Sequence, residues 1–284
     1  MNFFLERYKK WGFPQKKVRI QKTIRIQNFV QTTDAIIKSF DSDIHIQKIT
    51  YLDFGYTYSA PYSLASSIQY LSGQIYIQES ASQIPAQILK PTQKDRVLDI
   101  CASPGSKTTQ LAQLMKNKGV LVANDVEKKR IEKLCVNIER SHITNTIITQ
   151  FDARDIAKID MTFDKILVDA PCSGNFILED DWFEKRNIED IQKMSQLQKE
   201  ILESAFSVLK KGGTLVYSTC SLEIEENEHV VEHILSKENV ELLDIDISIG
   251  SEGLTAVTKK CKRLWPTETK TQGFFIAHFI KKGN

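Results

Sequence analysis

Two cysteines sit in short polar turns, each directly after an apolar run. Cys172 lies in DAPCSG (169–174), after KILV, and Cys220 lies in STCS (218–221), after GTLVY. A free thiol is most often a small buried packing residue, and either turn alone reads that way. Two such turns at the ends of adjacent strands would bring two nucleophilic sulfurs together, which packing does not require. A third turn, CASPGSK (101–107), follows VLDI and ends in Lys107 as a helical stretch begins. A cation is unfavourable beside the positive end of a helix dipole, so this lysine points mildly to function. Acids close the same strands: Asp99, Asp125 after GVLVAN, Asp152 after TIITQF, and Asp169.

The turn CASPGSK has neither the G-x-G-x-x-G spacing of a dinucleotide site nor the G-x-x-x-x-G-K-[ST] spacing of a phosphate loop. Its one glycine, Gly105, follows Pro104 and permits close approach of a ligand to the backbone. The helix that begins there offers free N–H groups to the same place. Asp125 stands about 20 residues on, where an acid accepts from a ribose diol. Asp152 is positioned to accept from the exocyclic amine of an adenine. Each lone Asp could instead cap a helix. Jointly they point to a nucleoside cofactor without a pyrophosphate, and S-adenosylmethionine suits them better than a nicotinamide dinucleotide.

The elements that must hold these residues follow from periodicity. RVLDIC, GVLVANDV, TIITQFDA, KILVDAP and GTLVYSTC are short apolar runs, separated by helical stretches over 106–117, 127–141, 189–209 and 224–236. That alternation predicts a parallel sheet with helices on both faces. VELLDIDI and FFIAHFIKK bring the expected number of strands to seven. Ligands of such sheets bind at the carboxyl ends of the strands, where the polar residues fall. Residues 1–72 read as a small α+β unit and 73–284 as the main domain. Within the small unit VRIQKTIRIQ and IHIQKITYL are expected strands, DAIIKSF a helix, and 56–66 an irregular connection.

Net charge is +2, unevenly spread: residues 1–28 hold eight basic residues and one acid, so that segment is +7 and the rest −5. The eight are Arg7, Lys9, Lys10, Lys16, Lys17, Arg19, Lys22 and Arg25, interleaved with Phe3, Phe4, Tyr8, Trp11 and Phe13. A basic segment of this kind is a candidate polyanion surface, because phosphate neutralisation releases counterions; a solvated helix with an apolar face is the alternative. Lys259, Lys260, Lys262 and Arg263 form a second basic cluster. No run of about 18 apolar residues is present, so no membrane span is expected. The N-terminus lacks a secretory pattern, which implies a cytoplasmic, reducing setting for the five cysteines. Their spacing, always more than 30 residues, predicts no metal site.

The chain resembles the Sun-type family of RNA (cytosine-5) methyltransferases. The resemblance rests on GQIYIQESASQIPAQIL, VLDICASPGSKTTQLAQL, ANDVEKKR, FDAR, DAPCSGN, VYSTCSLEIEENE and GFFIAHFIK, and covers nearly all of 73–284. The short N-terminal part is most similar to archaeal transfer-RNA enzymes. CASPGSK departs from the commoner CAAPGGK, and RLWPTETKTQGFF lacks the His and Asp-Gly that many members carry there. The resemblance implies a Rossmann-like class I S-adenosylmethionine-dependent methyltransferase fold, with RNA, and transfer RNA in particular, as partner. It implies that Cys220 is the nucleophile, that Cys172 releases the adduct, that Asp169 contacts the cytosine, and that Lys107 reaches the reacting ring. It further implies that Cys101, Ala102, Ser103, Pro104, Gly105, Ser106 and Lys107 hold the methionine part of the cofactor, with Asp169 beside it. Asp125 would hold the ribose, Asp152 the adenine, and Arg130 would flank the adenosine. The reverse assignment of the cysteines is chemically reasonable, since cytosine-5 DNA methyltransferases use the Pro-Cys cysteine as nucleophile. Ribosomal RNA, or a methyltransferase for a small molecule or protein, are the other readings. A non-catalytic RNA-binding module leaves the intact cysteines and Lys107 unexplained.

Overall fold

The structure, a computed structural model, describes residues 3–13 and 18–283. Its first helix, α1 (Phe3–Lys10), leads to a small antiparallel sheet. The sheet contains β1 (Thr23–Ile26), β2 (His45–Lys48), β3 (Gly55–Ser59) and β4 (Ile75–Ile77), in the order β2-β3-β1-β4. Helices α2 (Thr33–Lys38) and α3 (Ile68–Leu71) complete the unit. Two expectations are corrected here. Residues 56–59 form a strand rather than an irregular connection, because β1 and β2 pair with it on either side. The boundary expected at residue 72 cuts this sheet, since Arg25 of β1 lies opposite Tyr76 of β4.

The main unit begins with α4 (Ser80–Leu89), then alternates β5 (Arg96–Asp99), α5 (Ser106–Leu114), β6 (Val120–Asn124), α6 (Lys128–Arg140) and β7 (Thr146–Thr149). It continues through β8 (Phe163–Asp169), α7 (Trp182–Lys185), α8 (Ile188–Val208), β9 (Leu209–Thr219) and α9 (Glu228–Lys237). The chain closes with β10 (Val240–Leu242), β11 (Ser251–Glu252), β12 (Lys262–Leu264), α10 (Pro266–Thr269) and β13 (Phe274–Lys281). The strand order is β11-β12-β13-β9-β8-β5-β6-β7, with β10 on β13. Strands β5 to β9 pair in parallel, and β13 runs antiparallel to β9. The sheet thus has nine strands among the described residues, the seven expected and the short β11 and β12. Among the described residues no helix is long and apolar enough to cross a membrane.

Two apolar layers flank this sheet. One gathers Leu98, Ile166, Phe206, Tyr217 and Phe279 beneath α8 and α9; the other gathers Val97, Leu111, Leu121, Leu134 and Ile276 beneath α4, α5 and α6. Strands buried on both faces must be apolar throughout, which is why polar residues fall only at their ends. After β5 the chain winds outward to β6 and β7, then returns to β8 on the other side of β5. This reversal opens a crevice at the carboxyl ends of β5 and β8, between Asp99 and Asp169.

The basic N-terminal segment divides in the structure. Arg7 is held by Glu223 at 2.5 Å and Glu225 at 2.7 Å. Arg25 is fully buried and donates to Gln78, Gln113, Thr109 and the carbonyl of Ser106, which fastens β1 to α5. Burial lowers its pKa to about 9. Phe3 is exposed, but the other aromatics pack: Phe4 lies on Trp182, Tyr8 and Trp11 lie near Trp265, and Phe13 stacks on Trp265 at 3.8 Å. Lys9, Lys10, Arg19 and Lys22 stay exposed, and Lys16 and Lys17 lie outside the described residues. Arg263 likewise leaves its basic cluster, because it is completely buried against Glu228.

Candidate active site

The two cysteine turns meet. Parallel pairing sets Asp169 of β8 opposite Ser218 of β9, so the turns that follow emerge side by side. Cys172 Sγ and Cys220 Sγ lie 3.1 Å apart, both free and half-buried. The hydrogen bond between them, with burial, raises the Cys172 thiol well above its usual range.

Lys107 is buried rather than in solvent. Its side chain is 6 % exposed; Nζ donates to Asp169 Oδ2 at 2.6 Å and to Ser82 Oγ at 2.8 Å, above the ring of Phe274. Asp169 Oδ1 accepts from Ser218 Oγ at 2.8 Å. A cation and a carboxylate are thereby paired at the crevice where β8 and β9 end, on the strands that lead into the two cysteine turns.

The turn 101–107 is held from both sides. Ala102 N–H donates to Asn124 O at 2.8 Å, and Gly105 N–H returns to Ala102 O at 2.8 Å. Gly105 takes φ +103°, in the left-handed region, and a Cβ there would lie 3.0 Å from Leu134 Cδ1. Asn137 Nδ2 donates to Pro104 O at 2.8 Å, and Arg25 reaches Ser106 O. Asp125 is buried and accepts the N–H groups of Ser103 and Glu127, each at 3.2 Å. Arg130 lies 3.3 Å from Asp125 and donates to Ser103 O, and Ser103 Oγ donates to Arg130 O at 2.6 Å. Cys101 is pushed far above the usual thiol range, first by burial and then by Asp99.

Asp152 has a structural task in addition to its place at the sheet edge. It caps the short helix that follows by accepting from Arg154 N–H at 2.9 Å, and it pairs with the Arg154 guanidinium at 2.7 Å. The side-chain hydrogen bonds from Arg154 hold its carboxyl down at about 2.

Sequence reasoning places Asp99 at a strand end without a role, and does not name Ser82, Asn175 or Glu226. Asp99 is buried at the base of the turn; Thr108 Oγ1 donates to Oδ2 at 2.7 Å, while Oδ1 has no partner. Burial pushes its carboxyl up to about 7. Ser82 supplies the second acceptor for Lys107. Asn175 donates to Cys220 O at 2.7 Å and to Gln272 O at 2.9 Å. Glu226 is fully buried and accepts from the residues that follow each cysteine, Ser173 and Ser221. The one sequence signal for Glu226 is the repeated Cys-Ser of CSG and TCS; EIEENE itself looks like a solvated acidic run.

A seven-stranded switch-point sheet, extended here by β11 and β12, with this ligand edge, defines a class I methyltransferase fold of the kind that binds S-adenosylmethionine. Within that class, residues 86–280 match the family model described as 16S rRNA methyltransferase RsmB/F, and the chain belongs to this family. It is similar to a 28S rRNA (cytosine-C(5))-methyltransferase of Mus musculus, 39% identical over 241 residues, 80% of this chain and 30% of that protein. The chain thus spans less than a third of that relative. Two solved structures overlap more fully. A methyltransferase homolog protein from Pyrococcus horikoshii superposes with a TM-score of 0.85 at 35% identity, over 92% of this chain and 87% of that one. The crystal structure of NSun6 from Pyrococcus horikoshii with SFG superposes with a TM-score of 0.87 at 25% identity, over 94% and 92%.

The residues present fit S-adenosylmethionine. The partnerless Asp99 oxygen is an acceptor awaiting a donor at the base of the turn, as an ammonium group would supply. Asp125 uses two lone-pair positions on backbone donors and keeps others for a diol. The absent Cβ at Gly105 instead makes room for Leu134 and Asn137 of α6 against the turn.

Proposed function

We propose that the protein methylates carbon 5 of cytosine in RNA, with transfer RNA as substrate, through a covalent cysteine adduct. The observation that carries this reading is the 3.1 Å pair of Cys172 and Cys220 at the same sheet edge as the Lys107–Asp169 ion pair. A methyltransferase for a small molecule or protein would need neither second thiol nor an acid–cation pair at that edge.

Carbon 5 of cytosine is a weak nucleophile. Cys220 Sγ adds to carbon 6, which turns the ring into an enamine whose carbon 5 can attack an electrophilic methyl group. S-adenosylmethionine supplies that methyl as a sulfonium when bound. Asp169 holds the cytosine ring and stabilises its protonated adduct, and Lys107 counters charge that develops on the ring and favours the Cys220 thiolate. Carbon 5 then loses its proton, the bond from carbon 6 to sulfur breaks, and Cys172 serves this elimination. The turn 101–107 holds the methionine part of the cofactor, Asp125 the ribose and Asp152 the adenine, with Arg130 at the adenosine. Asp152 can do this only with lone pairs left over from its cap and from Arg154.

The N-terminal unit, residues 1 to about 77, would contact the RNA through its exposed bases Lys9, Lys10, Arg19 and Lys22. Extruding the target base costs a few kcal/mol, which phosphate contacts of this kind offset. Transfer RNA is favoured by the resemblance to short archaeal transfer-RNA enzymes and by the overlap with archaeal chains over 87% and 92% of their length. Ribosomal RNA is the second reading, on the printed activity of the 28S relative and of the matched family. Incubation with S-adenosylmethionine and either RNA, followed by bisulfite sequencing, tests both. Protected cytosines in transfer RNA are expected. Protection confined to ribosomal RNA would move the substrate, and none in either would end the proposal.

A further inference from the structure

Both cysteine turns are tied to one buried carboxylate. Glu226 accepts from Ser173 N–H at 3.0 Å, from Ser173 Oγ, from Ser221 Oγ at 2.7 Å and from Gln198 Nε2 at 2.8 Å. Ser173 follows Cys172 and Ser221 follows Cys220, so the carboxylate clamps each turn one residue beyond its thiol. The two serines also touch each other, Oγ to Oγ, at 3.3 Å. Four donors and no cation among these partners suit an acceptor-only carboxylate, while burial raises its pKa and these hydrogen bonds oppose that rise. Gln198 is anchored in turn, since it also donates to Pro171 O at 2.9 Å. Around the clamp, Trp182 Nε1 and Arg186 Nε donate to Ser173 O, and Tyr217 OH donates to Glu226 O.

We infer that Glu226 is a positioning residue for the reaction: it fixes the separation of the two sulfurs and places a buried carboxylate beside the Cys172 turn. A single group bonded to both turns can set their spacing in a way that strand pairing alone, which ends at Thr219, cannot. A negative charge buried near a thiol opposes formation of the thiolate. Glu226 is one of the groups that hold Cys172 above its usual range, after Cys220 and burial. Among the charged groups at this end of the sheet, Asp169 and Lys107 neutralise one another, Glu223 is held by Arg7 and Glu228 by Arg263. Glu226 is thus the charge there without an ion-pair partner among its hydrogen-bonded neighbours.

This inference rests on the proposed thiol chemistry, and the test separates the two. The rates at which Cys172 and Cys220 of the full chain react with iodoacetamide are followed by mass spectrometry across pH, without RNA. In Glu226→Gln the pH midpoint for Cys172 should fall, as expected when a nearby buried charge is removed. Turnover on RNA should fall on the order of 100-fold, the effect of a misplacement near 1 Å, with calorimetric affinity for S-adenosylmethionine unchanged. A turn that is merely loosened would react faster at every pH with the same midpoint, and an unchanged midpoint in the folded variant overturns the inference. Should Glu226→Gln fail to fold, Ser173→Ala and Ser221→Ala carry the test, each removing donors to the clamp from one turn. Ser221→Ala should slow formation of the RNA adduct, and Ser173→Ala should let it accumulate; wild-type turnover in both would overturn the inference. If the unaltered protein methylates no RNA, the proposed function falls, while the iodoacetamide midpoints still decide the role of Glu226.

Discussion

Asp99 gives a stability prediction whose sign and size follow from its surroundings. The carboxyl is 1% exposed, has one hydrogen bond from Thr108, and is pushed up to about 7 by burial. In the unfolded chain it titrates near its ordinary value of 3.8. The folded protein therefore keeps this proton to a higher pH than the unfolded chain does. The contribution to stability is full below about pH 4 and is lost as pH rises to about 7. The gap between the two values corresponds to at most about 4 kcal/mol. Asp99→Asn cannot ionise and can still accept from Thr108, so it should match the unaltered protein at pH 4 and exceed it at pH 8. For cooperative unfolding of a chain this long, the difference in Tm at pH 8 would be about 7 °C. Melting curves by circular dichroism from pH 4 to 8, without cofactor, measure it. Parallel pH dependences for the two proteins would show that Asp99 is ionised in the fold or that water reaches it, and would refute the reasoning.

The two thiols should behave oppositely on a denaturing gel. Cys220→Ala should form no covalent RNA species, and Cys172→Ala should trap one, while both lose turnover; trapping by Cys220→Ala alone would reverse their roles. Asp125→Ala should weaken S-adenosylmethionine binding by roughly 10- to 100-fold in calorimetry, the worth of hydrogen bonds to a charged acceptor; normal affinity would remove Asp125 from the ribose site. Arg263→Met leaves Glu228 buried without its cation, since Arg263 donates to both of its oxygens and to Leu222 O. Urea unfolding should show a loss of about 3–5 kcal/mol, largely restored by adding Glu228→Leu; a neutral single variant would mean that the pair is solvated.

The sequence by itself determined the main domain and the chemistry of its edge. Strands buried on both faces can be nothing but apolar, so the runs from RVLDIC to GTLVYSTC and the polar residues that end them are visible without coordinates. Cys172, Cys220, Lys107, Asp169 and Asp125 are legible for that reason. Only the tertiary structure decided which charges are spent on holding the fold together. Arg7, Arg25 and Arg263 read as free surface bases until distant chain segments supply their acceptors, Glu223 and Glu225 for Arg7, Gln113 for Arg25, and Glu228 for Arg263. Residues 56–59 and β4 join the small sheet because β1 lies between them, a pairing set by contacts that local pattern does not encode. Glu226 is the clearest case: an acid in an acidic run becomes a buried clamp because two loops 48 residues apart converge on it. Burial and pairing are properties of the assembled chain, and both determine what an ionisable side chain does.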